Sequence, residues 1–240
     1  MLLFAAVMSV VLSHTTVARS DSWKAWLGNR ADSIWTENEK SLDLEAKPLK
    51  LAWKSKLGGG YSGPSIHGDS VAVMDFTPAT GEKAPANVFD RGTVRGKEGI
   101  QCFDLQTGSL KWSHSYDETY TISYPAGPRT TPIFTENRVI ALGAEGRLSV
   151  IDRANGKLIW EKDFKEAFQS KTPLWGFAGH PLLFDGSIIC LVGGDDGAGV
   201  VSFDLITGKE NWRALNLNEM GYCPPTLIQR NGQQELIIWS

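Results

Sequence analysis

One phrase occurs three times in this chain. It runs Cys102-Phe103-Asp104-Leu105-Gln106-Thr107-Gly108-Ser109-Leu110-Lys111-Trp112, then Val150-Ile151-Asp152-Arg153-Ala154-Asn155-Gly156-Lys157-Leu158-Ile159-Trp160, then Ser202-Phe203-Asp204-Leu205-Ile206-Thr207-Gly208-Lys209-Glu210-Asn211-Trp212. Each copy reads Asp-x-x-Thr/Asn-Gly-x-x-x-Trp, and the three tryptophans stand 48 and 52 residues apart. A period near fifty restricts the fold to an array of one supersecondary unit. Within the phrase, Asp accepts the amides of a tight turn and Gly supplies a positive φ. The flanking apolar residues alternate as two antiparallel strands. The tryptophan four residues past the glycine falls on the second strand, and a side chain of that size, once per unit, is expected to wedge between neighbouring sheets.

A second phrase opens each unit: Gly63-Pro64-Ser65-Ile66, Thr131-Pro132-Ile133-Phe134, His180-Pro181-Leu182-Leu183 and Pro224-Pro225-Thr226-Leu227. A hairpin pattern with central turn residues follows each of them. Two strands before a middle loop and two around the Asp turn make four per unit, the arithmetic of a β-propeller blade. Composition agrees, since 25 Gly supply turns and 9 Trp need packing partners, a pairing foreign to a helical bundle.

With these motifs the chain resembles the PQQ-like (quinoprotein-type) β-propeller repeat family. Trp23-Lys24-Ala25-Trp26-Leu27-Gly28, Gly58 to Pro64, Ser123 to Arg129 and Trp175-Gly176-Phe177 are similar to an exported bacterial branch of it. The resemblance covers about Trp23 to Ser240 and implies an all-β propeller of four-stranded antiparallel blades with tryptophan-docking repeats. It leaves function open, because the family includes quinone-dependent alcohol and sugar dehydrogenases, outer-membrane assembly scaffolds and exported propellers of unassigned role. A ring of seven or eight blades at this period takes about 350 to 400 residues. The chain is therefore expected to be an N-terminal partial propeller of about three and a half blades, stopping inside the apolar run ending at Trp239. Leu51-Ala52-Trp53-Lys54 is expected to supply the outer strand of the last blade. A compact four-bladed ring is the alternative.

The expected organisation is a signal peptide over 1–20, an N-terminal segment ahead of the ring over 21–47, and the partial propeller over 48–240. Met1 to Leu12 is apolar and Ala18-Arg19-Ser20 is a small-x-small cleavage pattern, although a basic start is missing. A buried N-terminal strand or helix is the other reading. The apolar run is too short to span a bilayer, and no cysteine precedes Cys102 to carry a lipid, so the expectation is export to the periplasm or the cell exterior. Cys102, Cys190 and Cys223 lack metal or disulfide-framework spacing; the first two are expected to be buried free thiols, with one pairing left open. A net charge of −3 argues against a broad nucleic-acid footprint, and a monomer is expected at full length.

Function on such a scaffold is expected in loops. Connections between units supply Tyr61 and Ser62; Tyr120, Tyr124 and Arg129; Lys171, Trp175, Phe177 and His180; Asn218, Tyr222 and Cys223. Middle loops add Glu145, Asp195, Asp196 and an insertion from Thr77 to Gly99 with Asp90, Arg91, Arg95 and Lys97. The candidate ligand-face residues are Tyr61, Tyr124, Arg129, Trp175, His180 and Tyr222, and each carries two readings. Arg129 either grips an anion or clamps loop carbonyls. His180 is a proton carrier or a packing residue. Trp175 and Tyr124 stack a flat ring or line the axial channel. Asp195-Asp196 helps hold Ca²⁺ or makes a plain turn.

GxxxxGK(S/T), HExxH and GxSxG are absent, and the histidines lack ligand spacing. The resemblance implies PQQ with Ca²⁺ as the cofactor of the enzymatic branches, but their adjacent-cysteine pair is missing and their Ca²⁺ set finds no matching positions here. The leading expectation is a non-catalytic exported binding or scaffold module for a protein, peptide or glycan. The alternative is a PQQ-dependent alcohol or sugar dehydrogenase with the cofactor over the propeller axis.

Overall fold

The computed structural model describes residues 22–35, 49–217 and 220–239. The signal-peptide reading of 1–20 and the candidate Asn218 lie outside the described residues. Three four-stranded antiparallel sheets and a two-stranded hairpin follow one another along the chain. The first sheet comprises β1 (Ser65–His67), β2 (Ser70–Pro78), β3 (Val94–Asp104) and β4 (Leu110–Tyr120). The second comprises β5 (Ile133–Phe134), β6 (Arg138–Leu142), β7 (Arg147–Asp152) and β8 (Leu158–Asp163). The third comprises β9 (Leu182–Phe184), β10 (Ser187–Leu191), β11 (Val200–Asp204) and β12 (Glu210–Ala214), and the hairpin is β13 (Thr226–Arg230) with β14 (Gln233–Ile237). Each sheet is a meander in chain order, which makes it a propeller blade. The architecture is the expected all-β partial propeller.

The repeated phrase builds the same turn three times. Asp104 Oδ1 accepts the amides of Gln106 and Thr107 and the Thr107 hydroxyl, and Gly108, at φ 70°, returns its N–H to Asp104 O. Asp152 and Asp204 repeat the arrangement, with Gly156 at φ 74° and Gly208 at φ 69°. A register shift follows in each blade, between Cys102 and Phe103, Val150 and Ile151, and Ser202 and Phe203. The extra residue twists the outer strand and aims its tryptophan at the next blade. Trp112 Nε1 donates to Arg153 O at 2.8 Å and Trp160 Nε1 to Leu205 O at 3.1 Å. A Cβ on Gly156 would come within 2.7 Å of the Trp112 ring, and one on Gly208 within 2.7 Å of Trp160, so the turn glycine also clears room for the indole. Trp53 stands in the same relation to the first blade, donating to Leu105 O at 2.8 Å over Gly108. Trp212 is 40% exposed.

The core lies between sheets rather than within one. Ala72, Met74, Ile100, Cys102 and Trp112 of the first blade meet Phe134, Val139, Ala141 and Ile151 of the second. Leu142, Leu148, Val150, Phe164, Phe168 and Phe177 meet Ile188, Cys190, Val201 and Phe203 across the next seam.

Three features differ from the sequence reading. The Thr77–Gly99 insertion is not a free loop: β2 and β3 run into it and pair up to Pro78 and Gly96, and β4 lengthens to match. Tyr120 consequently belongs to β4, fully buried against Phe76, and not to a connection. A five-residue helix, α1 (Phe164–Phe168), also follows β8 with Asp163 as its N-cap.

Candidate functional site

The connections after β4, α1 and β12 converge beside the tip of the β2–β3 hairpin. Main-chain bonds tie them together: Tyr124 N–H donates to Val88 O at 2.8 Å and Ser123 N–H to Leu174 O at 2.9 Å. Ser123 Oγ donates to Phe89 O at 2.7 Å. Arg91 pins two connections at once, donating to Thr121 O at 3.3 Å and Thr172 O at 2.9 Å. The insertion is thus a brace across the loop end of two blades. On this frame stand Phe89, 66% exposed, and Trp175, 48% exposed, flanked by Val88 and Leu174. The result is an aromatic ledge on a main chain that its own hydrogen bonds hold in place.

Five of the six sequence candidates lie on or beside this ledge, as three pairs with their neighbours. Tyr124, at φ 51°, turns its ring edge-on to Phe89 at 5.2 Å. Trp175 packs on Tyr222 at 5.1 Å, and its amide donates to Tyr222 Oη at 3.3 Å. Arg129 lies 5.2 Å from the centre of the Tyr61 ring, a cation–π contact. Its guanidinium donates to the carbonyls of Gly127, Ser123 and Tyr124, so it clamps its own loop rather than facing a ligand. Burial holds the Arg129 pKa below the usual arginine range. Trp175 and Tyr124 therefore have separate aromatic partners. His180 stands apart, stacked on Trp26 at 4.6 Å, and burial pushes its pKa down to about 4.

Beneath the ledge lie two carboxylates, of which sequence reasoning named Glu145 and missed Glu98. Glu98, fully buried, accepts Tyr120 Oη–H at 2.5 Å, the Ala144 amide at 2.9 Å and Tyr116 Oη–H at 2.7 Å. Burial raises its pKa, and these three donors oppose the rise. Glu145 is buried too, accepting from the Thr121 amide at 2.5 Å, Thr172 Oγ1 at 2.7 Å and Lys165 Nζ at 3.2 Å. Arg147 lies over the Tyr116 ring and faces Glu118, Glu161 and Asp163. The signal was available in the β-strand period: Glu98, Tyr116, Glu118 and Tyr120 occupy the same side of β3 and β4 as Ile100, Cys102 and Trp112.

Glu98 and Glu145 are enclosed by protein donors, Asp195 and Asp196 are exposed, and among the described residues no group of three or more His, Cys, Asp and Glu gathers as a metal site. Arg129, Glu98 and Glu145 are all engaged by protein groups, so none of these three is free to hold a Ca²⁺–PQQ pair. Cys102, Cys190 and Cys223 are free, and burial raises the Cys102 pKa to about 11, far from a reactive thiolate. A polar cleft lined by Asp69, Ser70, Lys111, Glu136 and Arg153 and another along β3 and β4 near Lys97 include none of the six candidates. No helix among the described residues is long and apolar enough to cross a membrane.

Known proteins resemble the chain in the same terms. The family model for outer membrane protein assembly factor BamB matches residues 96–223. A protein of that name from Burkholderia pseudomallei is 24% identical over 217 residues, covering 75% of this chain and 52% of its own length. Another, from Kangiella koreensis, is 28% identical over 132 residues, covering 54% of this chain and 30% of its own. The chain thus spans about half the length of these relatives or less. Among solved structures, the quinohemoprotein alcohol dehydrogenase ADHIIG from Pseudomonas putida HK5 superposes with a TM-score of 0.54 at 20% identity, over 81% of this chain and 26% of that one. The quinohemoprotein alcohol dehydrogenase from Comamonas testosteroni gives 0.52 at 19% identity, over 82% and 28%. Those likenesses show the propeller fold alone. With three Asp-turn blades in the structure and a family match over more than half of its length, the chain belongs to the PQQ-like β-propeller family of outer membrane protein assembly factor BamB.

Proposed function

We propose that this chain is part of an exported, non-catalytic propeller scaffold that holds a protein partner against its loop end, in the periplasm, during outer-membrane assembly. The ledge carries the reading: Phe89 and Trp175 are large, exposed and fixed by main-chain bonds that cross three connections. Rigid aromatics of this kind lose little entropy on contact and dominate protein interfaces. The relatives' shared name, outer membrane protein assembly factor, supplies the process. A glycan partner fits less well, because the polar groups around the rings are spent on loop carbonyls.

The test is a Phe89→Ala/Trp175→Ala variant of the full-length protein in its native cell. Outer-membrane β-barrel levels should fall to those of the deletion strain while the variant keeps its abundance and melting temperature. Normal barrel levels with both rings gone would reject the reading. The dehydrogenase alternative is checked by titrating the purified full-length protein with PQQ and Ca²⁺. The expected result is no saturable quinone absorbance; saturable binding with alcohol-dependent dye reduction would replace the scaffold with an enzyme.

A further inference from the structure

Residues 22–35 lie against the inner strands of the propeller. Trp23 exchanges two main-chain bonds with Ile66 of β1, its N–H donating at 2.9 Å and its O accepting at 2.8 Å. Phe134 N–H of β5 donates to Lys24 O at 2.8 Å. Ala25 packs on the core between the second and third sheets, and Trp26 stacks on His180 just ahead of β9. Four consecutive residues therefore touch all three blades. The inner edges of β1 and β5 offer unpaired main-chain groups, and the segment satisfies them by strand addition.

Side chains add selectivity to those main-chain bonds. Lys24 Nζ lies 3.4 Å from Glu136 Oε1, which also faces His67 Nε2 at 3.2 Å. Arg153 holds the groove wall, donating to Glu136 O and His67 O. The segment is also shaped in advance. Asn29 Oδ1 accepts the Lys24 amide at 3.0 Å, and Gly28, at φ 82°, turns the chain under Trp23, where a Cβ would sit 3.0 Å from the ring. Trp35 stacks on Trp23 with ring centres 5.8 Å apart.

We infer that this inner groove is a binding site for an extended peptide with two aromatic residues three apart and a cation beside the first, and that Trp23-Lys24-Ala25-Trp26 is its resident ligand. The site is separate from the ledge. Its ligand is tethered through residues 36–48, so its effective concentration is of the order of millimolar and an outside peptide enters only by displacing it. Strand addition supplies affinity, while the Trp26–His180 stack and the Lys24–Glu136 pair select the sequence.

A protease site placed between Lys40 and Ser41 of the full chain turns the tether into a cut. After cleavage, a fluorescein-labelled peptide of residues 22–35 should exchange into the groove with saturable anisotropy. The same peptide carrying W23A and W26A should bind at least about tenfold more weakly, as should uncut protein towards the wild-type peptide. In the uncut chain, the W23A/W26A substitution should raise uptake of the wild-type peptide, which keeps the test independent of how the cut protein behaves. Equal binding of both peptides, failure of the cut protein to take up either, or no gain in the uncut variant would each overturn the inference.

Discussion

The seam between the first and second blades and the seam between the second and third are alike at the turn end. Trp112 covers Gly156 in one and Trp160 covers Gly208 in the other, each indole donating to a carbonyl of the next blade. Toward the loop end they part. The first seam is filled by Glu98 with Tyr116, Tyr120 and the Ala144 amide, and by Glu118 facing Arg147 and Lys165. The second is filled by Phe164, Phe168, Phe177 and Phe203, whose rings meet at 5.6 to 6.3 Å. One gap is closed by a satisfied polar network and the other by aromatic packing. The repeated half holds blades together, and the half free of the repeat carries what distinguishes this chain.

The largest effect should come from the aromatic seam. Phe164 is fully buried against three other phenylalanines, and Phe164→Ala should destabilise by about 4 kcal/mol in a denaturant titration, cavity included. In the polar seam, Glu98→Ala strands two tyrosine hydroxyls and an amide and should cost about 3 kcal/mol, whereas Glu98→Gln keeps an acceptor and should cost roughly 1 kcal/mol. Equal losses from the two Glu98 variants would mean that the carboxylate's charge, and not its acceptor capacity, holds the seam. At the shared end, Gly156→Ala and Gly208→Ala should cost the same, about 2 kcal/mol each, since both add left-handed strain and displace an indole. Unequal values would show that the turn end is less uniform than its repeat.

The smallest of these effects depends on pH. Burial lowers the His180 pKa to about 4 from an ordinary 6.5, so the folded chain favours the neutral ring. The unfolded chain takes up its proton first as pH falls below 6.5, and stability is lost from there down to about pH 4. At pH 5.5 the loss from this residue should be roughly 1 kcal/mol relative to pH 7.5. His180→Phe should remove that part of the slope while keeping a ring for Trp26 to stack on, and identical slopes for both proteins would contradict the assignment.

The sequence shows clearly what repeats. Asp104, Gly108 and Trp112, with their two later copies, announce turn, bulge and blade because each position has one dominant physical task. The loop end was only partly legible. Arg129 could be named from its place between Pro128 and Thr130, but its three carbonyl partners depend on how a loop with Tyr124 in the left-handed region closes. Phe89 and Arg91 sat in an insertion with no periodic pattern, and the brace they form appears only when β2 and β3 carry them across the blade. Glu98 was legible in register but hidden by its charge, because a carboxylate inside a strand reads as surface until its tyrosine partners are placed opposite. Trp26 and His180, 154 residues apart in the chain, carry no local signal of their stack.

That the loop end recognises a partner while the turn end holds the blades is tested most directly by photo-crosslinking in the native cell. A benzophenone amino acid would replace Phe89 or Trp175 on the ledge, and Lys157 or Lys209 in the exposed Asp turns. The account predicts one discrete protein adduct, the same from positions 89 and 175, and none from 157 and 209. Adducts from the turn positions alone, or the same adduct from all four, would contradict it.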